Sequence, residues 1–369
     1  MRVFGAMLVD AYRELNSKKL FWVILAISGV VVLGYGSIGF DAAGVSIGFG
    51  IWHVESEFLY DGSVLSTIFY RSIFASFIVA IWLTWIATIL ALISTTTVFP
   101  DFIAGGAIDL VLAKPIGRLR LFVYKYLVSL LFVVLQVTLF CIGIFLCMGL
   151  RVGDWDPLVF AAIPLVIVFF SYLFSVSVLV GVWTRSAITA LLLTILFWFG
   201  LYSMNQTEAI LLTVKTQFQL ETEHAAERLA ALEANAGDEP DETTTSRIAE
   251  LRTEQQEAED LVARLDTWYR LTAGIKAVLP KTGETIGLLD RWLSRDSDIN
   301  IMDIFTGNVQ ADGNGQFSLG GRPDRDREAQ RRVQAVYAGR SETYVIGTSL
   351  AFEFVMLGLA AWIFCRRDY

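Results

Sequence analysis

The chain has 369 residues, a hydrophobic fraction of 55%, a mean hydropathy of +0.56 and a net charge of −8. That apolar fraction exceeds the roughly 45–50% usual for soluble domains, so the composition excludes an ordinary soluble protein and predicts a membrane protein. The acidic excess lies in residues 205–340, which hold 24 acidic and 16 basic side chains, and because such a segment repels polyanions we expect no nucleic-acid partner.

The first predicted element is a membrane helix near residues 20–40. Basic side chains precede this apolar run, at Arg2, Arg13, Lys18 and Lys19, an arrangement that resembles a secretory signal. The polar lead is too long for a signal peptide, and the run reaches the roughly 20 residues that a spanning helix needs without a clear small-x-small cleavage site. We therefore expect a retained first helix.

Six apolar runs are long enough to cross about 30 Å of hydrocarbon. They lie near residues 20–40, 72–98, 121–150, 158–183, 187–204 and 342–365. With a cytoplasmic N-terminus, only Arg71 and Arg151 among the flanking basic residues fall outside, so the positive-inside rule predicts that both termini are cytoplasmic. Trp22, Trp52, Trp155 and Trp183 lie near the predicted interfaces, where tryptophan anchors a protein in the headgroup region.

This topology predicts an all-α membrane protein with six transmembrane helices and three parts. Residues 1–204 form a transmembrane core, 205–340 form a large extracytoplasmic insert between helices five and six, and 341–369 form the sixth helix and a cytoplasmic tail. We expect a multi-pass protein of a cell membrane, the bacterial plasma (inner) membrane.

The insert contains two heptad patterns separated by a turn signal at residues 236–241, where glycine and proline cannot sustain a helix. The first pattern comprises Leu211, Phe218, Ala225 and Leu232; the second comprises Ile248, Leu251, Ala258, Val262, Leu265 and Tyr269. The patterns predict an antiparallel coiled-coil hairpin whose arms of roughly 30 residues project on the order of 45 Å. An amphipathic stretch from Trp268 to Trp292 is expected at the membrane surface, and Ala311 to Arg327 is expected to be loop.

The predicted cytoplasmic connection between helices two and three, residues 99–126, is short and dense in signals. Pro100 and Gly105-Gly106 are expected to interrupt the helix on either side of a brief turn, which then carries an apolar face that a soluble partner could receive. Its pattern is Gly106-x-Ile108-x-Leu110-x-Leu112-x-x-Pro115-Ile116-x-Arg118.

With this pattern the chain resembles the type-2 permease family of the ATP-binding-cassette (ABC) transporters, and residues 10–22 are similar to that family's amphipathic lead into its first helix. The resemblance covers residues 1–204 and 341–369, whereas the long insert departs from the family. It implies an export function and a coupling helix that docks on a separate ATPase. The residues that it assigns to this coupling loop are Asp101, Phe102, Gly105, Gly106, Ile108, Asp109, Leu110, Leu112, Pro115 and Arg118.

Two of the polar residues inside the predicted spans, Glu353 and Gln136, are candidates for a functional role. Glu353 is about ten residues from either end of the sixth helix, and an ionisable group at that depth costs at least about 2.5 kcal/mol, so it should face protein or water. It either contacts substrate or is a protonated side chain bonded to a neighbouring helix, with Gln136 as a candidate partner. Pro164 is expected to kink the fourth helix.

Catalysis within this chain finds little support in the sequence. His53 and His224 are the only histidines, Cys141, Cys147 and Cys365 form no metal or disulfide pattern, and no HExxH or GxxxxGK[ST] motif occurs. We therefore expect no cofactor or metal in this chain, no enzyme activity, and ATP with Mg²⁺ bound by the partner ATPase.

The leading hypothesis is the membrane permease subunit of an ATP-driven exporter. Its expected partners are a nucleotide-binding ATPase subunit, a second permease copy or paired permease, membrane lipid, and an extracytoplasmic protein for the insert. Two alternatives stay open: a membrane scaffold or sensor that uses the external hairpin, and an ion-coupled carrier that uses Glu353. The sequence does not indicate the substrate.

Overall fold

The structure is a computed structural model and describes residues 19–56, 59–104, 117–235, 242–293, 309–311, 317–319 and 324–367. Helix α1, Lys19–Gly36, is followed by a three-stranded antiparallel sheet of β1 (Gly39–Asp41), β2 (Gly44–Ile47) and β3 (Trp52–Glu55). In this sheet Phe40 pairs with Val45 and Val45 pairs with Val54. Gly39 and Phe40 of β1 fall within the first predicted span, 20–40, and β2 and β3 lie between the first two predicted spans, so the expectation of an all-α protein is wrong for this segment.

The next helical run contains an unusual wide-turned segment. Helix α2, Val64–Ile73, leads into a π-helix, Phe74–Ala87, and then into α3, Thr88–Thr95, and α4, Val98–Ala104. Ser63 begins the run, because its hydroxyl accepts a hydrogen bond from the Leu65 amide. Within the wide turns, the hydroxyls of Thr84 and Thr88 donate to the carbonyls five residues earlier, those of Val79 and Leu83. These bonds help to satisfy the backbone in an apolar environment.

Two long helices complete the first half of the bundle. They are α5, Arg118–Arg151, and α6, Ala162–Thr184, and one 3₁₀ turn, Pro157–Ala161, precedes α6. Pro164 lies in the first turn of α6, where the missing amide hydrogen has no helical partner to lose. Pro164 thus lies beside the junction of the 3₁₀ turn with α6, and the kink expected there stays a prediction.

Helix α7, Ala187–Asn235, continues from the bundle into the insert without a break and pairs with α8, Glu242–Val278. The two are antiparallel: Lys215 of α7 bonds Asp266 of α8, and farther along α7, Glu233 meets Arg252 of α8. The residue numbers along α8 therefore fall as those along α7 rise, as in an antiparallel pair. The predicted turn at 236–241 lies outside the described residues.

The rest of the insert is more structured than the sequence suggested. It comprises α9, Thr282–Leu293, the antiparallel pair β4, Val309–Ala311, and β5, Phe317–Leu319, and α10, Asp324–Ala338. The last helix, α11, Glu342–Arg366, begins at Ser341, whose hydroxyl accepts from the Tyr344 amide. The expectation of loop from Ala311 to Arg327 is therefore wrong in part, since both β5 and the start of α10 fall there.

Among the described residues, five helical segments are long and apolar enough to cross a membrane: Leu65–Ile103, Arg118–Arg151, Pro157–Thr184, Ala187–Ala234 and Glu342–Arg366. Phe21–Gly36, the counterpart of the first predicted span, is a shorter apolar helix. The apolar window of Pro157–Thr184 is 83% buried, against 22–41% for the other four, so this helix is the centre of the bundle. The chain is thus a predominantly helical, multi-pass membrane protein.

The predicted amphipathic stretch divides into two parts with different environments. At the end of α8, Trp268, Leu271, Ile275 and Val278 form an exposed apolar stripe. By contrast, α9 buries Ile286, Leu288 and Leu289 in the bundle core. The α9 part therefore packs against the bundle, and the expectation that the whole stretch lies on the membrane surface is wrong for it.

Candidate functional site

The predicted cytoplasmic connection, residues 99–126, begins in α4, which packs against the bundle. Phe102 is 6% exposed, and the Lys125 ammonium lies 5.0 Å from its ring centre. Pro100 lies in the first turns of α4 and contacts Gly181 of α6, where an added Cβ would come within 3.3 Å of the proline ring. Asp101 is exposed on the opposite face of this helix. The helix is therefore interrupted before Pro100, between α3 and α4, and not at Pro100 itself.

The second side of the connection is held by Arg118. Its guanidinium donates to the carbonyl of Cys365 at 3.2 Å and to that of Arg367 at 2.8 Å, at the C-terminus of α11. Arg367 in turn donates to the carbonyls of Val182 and Trp183, at the C-terminus of α6. Basic side chains thus satisfy helix-terminal carbonyls and oppose the negative end of each helix dipole.

Most of the proposed coupling residues lie between these two anchors. Asp101, Phe102 and Arg118 are described, whereas Gly105, Gly106, Ile108, Asp109, Leu110, Leu112 and Pro115 lie outside the described residues. The described residues on either side of the interval 105–116 are thus held against helices of the bundle, Phe102 before it and Arg118 after it.

Glu353 lies in the middle of α11 and is 8% exposed. The Tyr126 hydroxyl donates to Oε1 and the Ser171 hydroxyl donates to Oε2, each at 2.7 Å. Both oxygens of the carboxyl group therefore have a partner, on α5 and α6 respectively. This arrangement joins three helices and leaves neither oxygen without a hydrogen bond.

Gln136 occupies a different part of the bundle from Glu353. It lies ten residues beyond Tyr126 on α5, about 15 Å along the helix axis. Its Nε2 is buried and has no hydrogen-bond partner among the described residues. The amide faces a cavity of about 10 Å³ that Ser28 and Thr88 also line, which is room for one water molecule. The predicted pairing of Gln136 with Glu353 is therefore wrong, and the partners of Glu353 are Tyr126 and Ser171.

The predicted outer end of the bundle contains a buried ionic cluster. Glu208 and Glu284 both bond Lys276 and Arg340, with 2.7 Å between the Lys276 ammonium and Glu284. The side chains of the two carboxylates and of Lys276 are at most 7% exposed. Two acids and two bases balance, so this cluster joins α7, α8, α9 and the connection between α10 and α11 without net charge.

Lys281 extends this polar region into the bundle. Its ammonium donates to the Thr348 hydroxyl at 2.7 Å and lies 4.6 Å from the Tyr344 ring centre, while its amide donates to Ser349 at 2.9 Å. Burial lowers the pKa of the Lys281 ammonium, because desolvation disfavours the charged form. The start of α9 is thereby fixed to α11 about one turn from Glu353.

Sequence analysis did not identify this ionic cluster. Glu208 and Lys276 are 68 residues apart, and each looks like one more charge on a solvated helix. The available signal was weak: Glu208 interrupts an apolar run just beyond the fifth predicted span. The partners of Arg71 were not predicted either. They are Asp154 at 2.7 Å and Asp156 at 3.1 Å, two acids of the next predicted outer loop.

Comparisons of the chain with protein-family models, with curated proteins and with solved structures found no match.

Proposed function

We propose that this protein is the membrane-spanning subunit of an ATP-driven exporter, with ATP and Mg²⁺ bound by a separate ATPase that docks at residues 101–118. In this proposal α1 also crosses the membrane, as the first of six spans, and both termini are cytoplasmic. Two permease copies or a paired permease form one pathway in a bacterial plasma membrane. The permease resemblance of residues 1–204 supports this function.

The observation that carries the proposal is the anchoring of the inner connection. Phe102 is buried against the bundle on one side, and Arg118 bonds the last turn of α11 on the other. A displacement of the short interval between them would move the inner ends of α5, α6 and α11 together. A docking loop requires such a mechanical connection if ATP hydrolysis in a partner is to change the bundle.

The ion-coupled carrier has less support from the geometry. A carrier carboxylate must exchange its hydrogen bonds for an ion or proton, and Glu353 has both oxygens bonded to protein hydroxyls. The residue is better suited to holding α5, α6 and α11 in register.

The scaffold alternative has one specific observation in its favour. A groove of about 700 Å³ runs between α7 and α8 and is lined by apolar side chains, including Phe218, Leu251 and Leu261. Charged side chains also line it, and the four acids exceed the two bases: Glu221, Glu254, Glu257, Asp260, Arg228 and Arg264. A partner protein with a basic, apolar helix would fit this surface.

Copurification from native membranes in mild detergent, followed by an ATPase assay, tests the proposal. The natural chain should copurify with a nucleotide-binding subunit, and Leu110→Asp with Leu112→Asp should lose it, because a charged side chain in an apolar docking surface is costly to bury. The matched control is Leu261→Asp with Leu271→Asp, two exposed leucines of α8, which should retain the ATPase.

Absence of an ATPase with the natural chain would reject ATP-driven export and favour the scaffold. Retention of the ATPase by the Leu110→Asp, Leu112→Asp variant, with normal amounts of chain in the membrane, would show that docking does not depend on the 101–118 region.

A further inference from the structure

The turn between β2 and β3 presents three large apolar side chains that the fold does not cover. Phe49, Ile51 and Trp52 are 64%, 73% and 66% exposed; we name them the aromatic turn. Positive φ angles at Gly48, Phe49 and Gly50 reverse the chain tightly at this point. Large apolar side chains grouped on a surface in this way mark an interaction site.

The aromatic turn is fixed at the ends of two membrane helices. The Phe49 amide donates to the carbonyl of Ser37, one residue beyond α1, at 3.1 Å. The Arg151 guanidinium, on the last residue of α5, lies 5.6 Å from the Phe49 ring centre. The turn is therefore held at the level where α1 and α5 leave the bundle, on their predicted outer side.

The apolar surface continues from the turn onto these helices. Leu150 at the end of α5 is 76% exposed, and Val30 and Leu33 of α1 are 67% and 63% exposed. These side chains face the lipid if α1 and α5 cross the membrane. The turn thus extends a lipid-facing surface and is not an isolated patch.

The described part of α1 places the turn near the hydrocarbon boundary. From Lys19, whose charge belongs at the inner headgroups in the predicted orientation, to Gly36, it spans about 27 Å, slightly less than the roughly 30 Å of a hydrocarbon core. The chain therefore ends its first helix close to the outer edge of the hydrocarbon, where tryptophan and other amphipathic rings are enriched.

We propose that the aromatic turn is a membrane anchor whose side chains insert into the interfacial region of the outer leaflet among phospholipid glycerol groups and upper acyl carbons. The strands behind it, with Asp41, His53 and Glu55, remain in the polar headgroup layer. A second copy of this chain is a poorer occupant, because three side chains offer roughly 500 Å², below the roughly 800 Å² per partner of a stable interface. The anchor does not depend on ATP-driven export.

Spin labelling of the full chain in phosphatidylcholine nanodiscs tests the anchor. Cys141, Cys147 and Cys365 are replaced by alanine, and a nitroxide is attached at Phe49→Cys or Ile51→Cys. Val30→Cys on α1 provides a lipid reference, and Glu257→Cys on α8 provides a water reference. Collision with oxygen reports lipid, whereas collision with a water-soluble nickel chelate reports solvent.

The ratio of oxygen to nickel collision rates at both turn positions should approach that of Val30→Cys and exceed that of Glu257→Cys several-fold. A ratio equal to that of Glu257→Cys would overturn the anchor and place the turn in water. Protection from both reagents would also overturn it, because protein and not lipid would then cover the turn. Gel filtration of each labelled chain, with the elution volume of the unlabelled protein, verifies the fold.

Discussion

A carboxyl group in the middle of a membrane helix is costly unless its surroundings provide hydrogen bonds. Glu353 receives them from Tyr126 and Ser171, which come from two other helices. The three side chains therefore act as a polar contact between α5, α6 and α11, in a region where apolar packing alone gives little positional specificity. We infer that the residue contributes mainly to helix registration.

Removal of the Tyr126 hydroxyl should lower the free energy of unfolding by about 1–3 kcal/mol, because Oε1 of Glu353 then stays buried without its donor. Thermal unfolding of Tyr126→Phe in detergent, followed by tryptophan fluorescence, measures this loss. Tyr202→Phe is the matched control, since its ring is 39% exposed, and it should unfold like the natural chain. Equal unfolding temperatures for both variants would contradict a role for this hydrogen bond.

At the scale of elements, the insert is joined to the bundle by charge as well as by apolar contacts. The ionic cluster lies at the base of the hairpin. It contains Glu208 of α7, Lys276 of α8, Glu284 of α9 and Arg340, which lies just before α11. Next to it, α9 buries Ile286, Leu288 and Leu289 against the core. The insert and the spanning helices therefore share one packed region.

Lys276→Met should destabilise the chain by about 3–5 kcal/mol, because two carboxylates would remain buried with one fewer cation. Arg252→Met breaks an exposed ion pair on the same helix, and it should cost less than about 1 kcal/mol. Chemical denaturation of both variants in the same detergent gives the comparison. Similar losses for the two would show that water reaches the cluster.

The spans and the hairpin could be predicted because their signals are local. Apolar length identified 342–365 within one residue of α11, and Ser341 supplies the cap at its start. The position of α9 could not be predicted, since Glu284 makes that segment look like a surface helix until Lys276 and Arg340 neutralise it. The partners of Glu353 were missed for a similar reason, because Tyr126 and Ser171 reach it only in the folded bundle.

For the whole molecule, the basic residues make two different kinds of contact. Arg118 and Arg367 bond helix ends on the predicted cytoplasmic side, whereas Arg71, on the predicted outer side, pairs with Asp154 and Asp156. The proposed orientation, with an external hairpin, follows from the distribution of Lys and Arg in the sequence.

Cysteine labelling of intact cells tests that orientation. A membrane-impermeant maleimide should label Leu261→Cys on α8 directly, but it should label Asp101→Cys on α4 only after permeabilisation, because the proposed topology places these two exposed sites on opposite sides of the membrane. Cys141, Cys147 and Cys365 are replaced by alanine in both variants. The reverse pattern would invert the topology and place the 101–118 region outside, away from any cytoplasmic ATPase.

Helix α7 crosses the bundle and continues to the end of the hairpin arm as 49 uninterrupted residues, about 74 Å long. A rigid helix of this length converts a small rotation at its base into a large displacement at its far end. A 10° tilt about the base near Glu208 would carry the end of the arm through roughly 7 Å, since about 40 Å of helix lies beyond that point. Rearrangements of the spanning helices that change distances inside the bundle by only an ångström or two would therefore be visible as large displacements far from the membrane.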